Sequence, residues 1–86
     1  MKIIVYGTMI CPDTVDALEL FKKNSIDVDY RDFGDKISYL KEFLAIRDSS
    51  SLFDNARKTR TIGVPCIIFE DGSITLNPED VIENKL

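Results

Sequence analysis

The run Val5-Tyr6-Gly7-Thr8-Met9-Ile10-Cys11-Pro12-Asp13-Thr14 sets a cysteine at the point where an apolar strand gives way to a helix. Pro12 suits the first helical position, where its missing N–H costs nothing, so Cys11 falls at the N-cap. Orphan backbone N–H groups and the positive end of the helix dipole converge on a side chain held there. A thiolate gains from both. Free cysteine titrates at about 8.5, and helix starts are among the environments that lower this value and make the sulfur nucleophilic. The chemistry so implied is thiol–disulfide exchange. A second reading stays open, because a lone cysteine also serves as a small buried hydrophobe, and a Cys-Pro pair by itself does not choose between the two.

Cys66 opens the apolar run Cys66-Ile67-Ile68-Phe69, directly after Gly63-Val64-Pro65. Its simplest reading is a strand residue packed beside Ile67 and Ile68, since free cysteine is among the most buried residue types. The alternative is a resolving thiol for Cys11, which requires Cα atoms within about 7 Å. Pro65 reads most simply as a trans proline at the first residue of a strand.

Composition closes off other chemistries. With two cysteines and no histidine, Ser-His and Cys-His catalysis is excluded and a four-ligand Cys/His zinc site cannot be assembled in one chain. No metal and no tightly bound cofactor is expected. Fifteen acidic residues against eleven basic leave a net charge of −4, so nucleic acid is not an expected partner. The start, Met1-Lys2-Ile3-Ile4-Val5-Tyr6, is too short an apolar run for a signal sequence, and no segment approaches a membrane span. The expected setting is the cytoplasm, with no membrane partner and a monomeric chain. In that reducing compartment a cysteine is more often redox-active or metal-binding than structural.

The elements that must position Cys11 follow from periodicity. At 86 residues one domain spanning 1–86 is expected. Residues 2–6 read as a buried strand and Pro12 to about Asn24 as a helix with Val15, Leu18 and Phe21 on its apolar side. Residues 26–30 alternate Ile26, Val28 and Tyr30 with Asp27 and Asp29, the pattern of a strand with one wet face. Strand, helix and strand in this order imply a right-handed parallel crossover. A second helix over about 36–47 would present Ile37, Leu40, Phe43 and Leu44. Ser50 or Ser51 would then cap a helical segment through Lys58, with Leu52, Phe53 and Ala56 inward and Asp54 completing a weak capping box. Asp71-Gly72 between two apolar runs signals a hairpin. Asn77 and Pro78 start a last helix. One parallel unit and one hairpin can share a mixed four-stranded sheet with helices on both faces, an α/β class.

This order, with Cys-Pro at the first helix and Val64-Pro65 before the third strand, resembles the thioredoxin-like superfamily and, within it, the glutaredoxins. The stretches Tyr6-Gly7-Thr8, Cys11-Pro12-Asp13, Gly63-Val64-Pro65-Cys66 and Glu70-Asp71-Gly72 are similar to a small microbial group of glutaredoxin-related proteins that usually shows C-P-D-C, with Thr14 here at the second cysteine's place. The resemblance implies a glutaredoxin-type sandwich and a cis Val64–Pro65 bond lying against Cys11. It also implies a site in which Pro12, Asp13, Gly63, Val64 and Pro65 bind substrate or glutathione, the Val64 backbone pairing with an extended substrate. Three departures stand out. Thr8 to Ile10 lacks the lysine glutaredoxins commonly carry, Gly63 replaces a common threonine, and Thr75-Leu76-Asn77-Pro78-Glu79-Asp80 stands where two glycines and acids are frequent. Arg57, Lys58 and Arg60, or Arg47, would be the replacement charges for a glutathione carboxylate; the plainer reading of the cluster is a solvated helix end.

With Thr14 in the fourth motif position, exchange must be monothiol through Cys11 or use Cys66. Thr14, one helical turn on, would donate its hydroxyl to the thiolate, whereas the Asp13 carboxylate opposes the thiolate unless it points to water. Three function classes follow: a thiol–disulfide oxidoreductase acting on glutathione or protein disulfides, an iron–sulfur carrier built from two chains and two glutathiones, and a non-catalytic interaction module. Pro12-Asp13 departs from the Gly and Phe that usually follow the cysteine in the iron–sulfur type.

Overall fold

The β-branched run Ile3-Ile4-Val5 builds β1, Lys2–Gly7, whose side chains are covered on both faces as expected of an interior strand. In the computed structural model, which describes residues 2–85, β1 lies inside a four-stranded sheet of order β2-β1-β3-β4. β2 (Asp27–Asp32) runs parallel to it; β3 (Cys66–Ile68) runs antiparallel and is joined to β4 (Ile74–Thr75) by the Asp71-Gly72 turn. The mixed sheet is the one the sequence predicts, with β2 reaching two residues further than the Ile26–Tyr30 alternation.

Register decides which face each side chain enters. Val5 pairs with Ile67 and Tyr6 with Cys66, so Val5 and Ile67 share one face and Tyr6 and Cys66 the other. Onto the first face pack α1 (Pro12–Lys23) and α4 (Pro78–Lys85), enclosing Ile3, Val5, Ala17, Phe21, Ile67 and Val81. Onto the second pack α2 (Ile37–Ser49), a 3-10 turn (Ser51–Phe53) and α3 (Asp54–Thr59), enclosing Tyr6, Phe43, Phe53, Ala56 and Cys66. Phe43 and Phe53 meet edge to face with centroids 5.8 Å apart, and Phe33 lies 5.0 Å from Phe43. Such pairs add about 0.5–1.5 kcal/mol each beyond their burial, enough to fix the short α3 on the sheet.

Local signals account for most boundaries. Asn77 Oδ1 accepts from the Glu79 N–H at 3.2 Å, capping α4 as read from the sequence. Ser50 Oγ accepts from the Leu52 N–H, but the capping box fails because Asp54 pairs with Arg57 instead. The segment therefore starts as a 3-10 turn and only becomes α-helical at Asp54. On α2 the predicted apolar face is turned: Ile37 and Leu44 are exposed, while Phe43 is buried with Leu40 and Ile46 beside it. Leu52 is likewise exposed. Among the described residues no helix is long and apolar enough to cross a membrane.

Candidate functional site

β1 ends at Gly7, and the chain turns at once: the Cys11 N–H donates to the Thr8 carbonyl at 3.0 Å. Cys11 is the N-cap of α1, with extended φ −94° and ψ 118°, and Pro12 takes the first turn. The Cys11 carbonyl accepts from the N–H groups of Thr14 and Val15 at 3.1 and 3.2 Å, which fixes the start of the helix. The sulfur is free and partly exposed. The buried-hydrophobe reading of Cys11 is thereby excluded. Before it, Met9 and Ile10 are exposed, Ile10 at 91%, so the loop offers solvent an apolar surface beside the thiol.

Cys66 has the opposite fate. It is fully buried on the α2–α3 face with Tyr6, Phe43, Phe53 and Ala56, whereas α1 packs on the other face. Burial pushes its thiol up to about 12, so it is neutral at physiological pH. Enclosed by aromatic rings on the face opposite α1, that thiol is placed to pack in the core rather than to meet a disulfide at Cys11. The resolving role considered for Cys66 is corrected on that ground, in favour of the simpler strand reading.

Thr14 is fully buried, and its Oγ1 has no hydrogen-bond partner among the described residues. The expected donation to the Cys11 sulfur is not made. The side chain instead fills the space above Gly7, where a Cβ would come within 2.7 Å of Thr14 Cγ2 and 2.8 Å of Oγ1. Gly7 is thus required by close approach, and Thr14 by the fit of α1 onto β1. Pro12 and Asp13 are exposed at the helix start.

The Val64–Pro65 peptide bond is cis. Pro65 is buried and Val64 half-buried, and both border a groove with Asp13 and Asp16 from the first two turns of α1. Gly63 has φ +92°, and a Cβ there would lie 2.7 Å from Phe53 Cδ1. Both facts explain glycine at this position. The predicted cations do not gather here. Arg47 donates to the carbonyls of Thr61 and Ile62, each at 2.9 Å; Arg57 donates to the Arg47 and Ser50 carbonyls and pairs with Asp54. Arg60, at the left-handed end of α3, is exposed and, with Arg47 and Arg57, borders a separate hollow whose floor includes Phe33, Leu40 and Ile62.

Sequence reasoning missed Tyr30 and Asp32. Asp32 Oδ2 accepts from the Met9 N–H at 3.2 Å and the Tyr30 hydroxyl at 2.7 Å, while its Oδ1 accepts from the Gly34 N–H at 2.6 Å. Asp32 thereby ties the loop before Cys11 to the end of β2. The Tyr30 and Gly34 bonds, in that order, hold its carboxyl below the usual carboxylate range. The Tyr30 hydroxyl is raised above its ordinary value, first by burial, then by the Asp32 hydrogen bond and by the charges of Asp32, Asp35 and Cys11. The clue was present as Asp32-Phe33-Gly34, an Asx turn in which a carboxylate accepts from the N–H two residues on.

No family model matches the sequence. Over 76 residues, 88% of each chain, it is 29% identical to an uncharacterized protein of Haemophilus influenzae. It superposes on the crystal structure of the thioredoxin-like protein BC3987 with a TM-score of 0.67 and 22% identity, covering 94% of this chain and 96% of that one. A point mutant of the same protein gives a TM-score of 0.66. The fold is thioredoxin-like. In a fold of this kind the sheet order, the parallel β1–α1–β2 crossover and the hairpin that follows Val64–Pro65 bring the N-cap cysteine of α1 and the residues before β3 to one end of the sheet.

Proposed function

We propose that the protein is a glutaredoxin-like thiol–disulfide oxidoreductase working through one nucleophile, Cys11. The observation that carries this reading is the partly exposed sulfur at the N-cap of α1, on a thioredoxin-like fold whose second cysteine is buried and neutral. Fold alone does not define an activity; the chemistry rests on a free, partly exposed sulfur set at the positive end of the α1 dipole.

The Cys11 thiolate attacks one sulfur of a protein disulfide. The substrate S–S bond breaks, a Cys11–substrate S–S bond forms, and the other substrate sulfur leaves as a thiolate that takes a proton from water. A small external thiolate of the glutathione class then attacks the Cys11 sulfur and releases the second substrate thiolate. A second external thiolate attacks the new mixed disulfide and frees Cys11. One substrate disulfide is reduced, and two external thiols leave joined as a disulfide. Glutathione is therefore a co-substrate that collides with an open sulfur, and no resident cofactor is required. Asp32 and Tyr30 keep the loop before Cys11 in place, Thr14 seats α1 on Gly7, and the exposed Met9 and Ile10 give a polypeptide substrate apolar contact. Such chemistry suits a reducing cytoplasm, where the external thiol is abundant.

Turnover of hydroxyethyl disulfide with glutathione tests the proposal. Wild type and Cys66→Ser turn over, and Cys11→Ser does not. No turnover by wild type would leave a non-catalytic module, and loss in Cys66→Ser with an intact fold would restore a two-cysteine mechanism.

A further inference from the structure

The groove that borders Val64 and Pro65 has a sign. Its α1 wall is the stripe Asp13, Asp16, Ala17 and Leu20, residues at i, i+3, i+4 and i+7 of one helix face. Val64, Pro65 and Leu76 line it from the sheet side, and Asn77, Pro78 and Glu79 close it where α4 begins. Its volume is about 310 Å³, at the small end of ligand sites and fit for one or two side chains.

Three carboxylates, those of Asp13, Asp16 and Glu79, line this space, and among the described residues no lysine or arginine does. Among the described residues none of the three is in an ion pair; the paired cations are Arg31, with Asp29 and Glu42, and Arg57, with Asp54. Asp13 and Glu79 sit in the first turns of α1 and α4, where the dipole favours acids. Asp16 lies beyond the first turn of α1 and has no such role, yet it shares the groove. Between the carboxylates the lining is apolar: Ala17, Leu20, Pro65 and Leu76. An apolar floor with an anionic rim matches a long aliphatic stem that ends in a cation, which is the anatomy of lysine and arginine.

We propose that this groove takes the basic side chain flanking the substrate cysteine, so that the preferred substrates are disulfides in cationic polypeptide segments. The inference rests on the Cys11 reading and adds the substrate class to it. A segment extended beside Val64 presents alternate side chains to the protein, and pockets for those side chains give specificity. Glutathione is a net anion, and an anionic peptide carries more negative charge still; like charges facing each other across an interface cost affinity and slow encounter. Asp13, Asp16 and Glu79 are then specificity-determining residues. The polypeptide docks by its cation, and the small thiol reaches the open sulfur without entering the groove.

The test compares three disulfides: hydroxyethyl disulfide and two cyclic peptides that differ only in lysine or glutamate beside the cysteine. At low salt wild type reduces the lysine peptide with kcat/KM about tenfold above the glutamate peptide, and the ratio shrinks as salt screens the charges. In the double variant Asp16→Asn with Glu79→Gln the ratio falls toward one. Equal rates for the two peptides in wild type, with hydroxyethyl disulfide still reduced, overturn the inference alone. A ratio that is unchanged in the double variant also overturns it, because the preference then arises elsewhere. If hydroxyethyl disulfide is not reduced, the Cys11 reading fails and the inference with it.

Discussion

Cys11 and Cys66 are the same residue under opposite conditions. One caps a helix at the surface, and the other is a neutral core side chain between Tyr6 and two phenylalanines. Each was visible in the sequence to a different degree. Cys11 could be placed at a helix start because Pro12 marks the first turn. The side of the sheet that Cys66 faces depends on register with β1, which no local pattern reports. Its burial has a consequence in alkali. The folded thiol is raised to about 12, above its unfolded value of about 8.5, so its contribution to stability is complete below the unfolded value and is lost as pH rises toward the folded one. Unfolding followed by urea should therefore give a flatter stability curve for Cys66→Ala than for wild type between about pH 9 and 11, by up to about 1.4 kcal/mol per pH unit. Parallel curves would show that Cys66 titrates normally.

At the scale of elements, the strands, α1 and α4 were legible because strong local signals agree with their burial. The α2–α3 region was less so. Packing around Phe43 takes in Leu40 and Ile46 and leaves Ile37 and Leu44 exposed. The Phe53 ring then fixes the segment that leads into Val64–Pro65, because it stands against Gly63. A methyl group at Gly63 meets that ring and also forces a side chain into φ +92°. Gly63→Ala should cost about 1–3 kcal/mol in urea unfolding and slow reduction of polypeptide disulfides more than reduction of hydroxyethyl disulfide. An unchanged unfolding midpoint would mean that the 3-10 turn yields freely and does not hold this segment.

Across the whole molecule the charges are partitioned. Arg47 and Arg57 donate to carbonyls that join α2, α3 and the following loop, whereas Asp13, Asp16 and Glu79 around the α1–α4 groove are in no ion pair among the described residues. The net charge of −4 was legible from composition, but its distribution was not, since the sequence places Arg57 and Arg60 close to Gly63 and only the fold sets them beside Arg47 at the hollow bordered by Phe33 and Leu40. The fold itself could be read from element order together with Cys11-Pro12 and Val64-Pro65. The Asp32 tie and the groove could not, because each joins residues far apart in the chain.

The central claim is that folding makes the Cys11 sulfur a nucleophile by setting it at the start of α1. The rate of iodoacetamide labelling of each cysteine at pH 7, in the native and the urea-unfolded chain, measures this directly. Cys11 should react several-fold faster in the native chain than in the unfolded one, with Cys66 unlabelled until unfolding. A native Cys11 that labels no faster than the unfolded one would contradict the account.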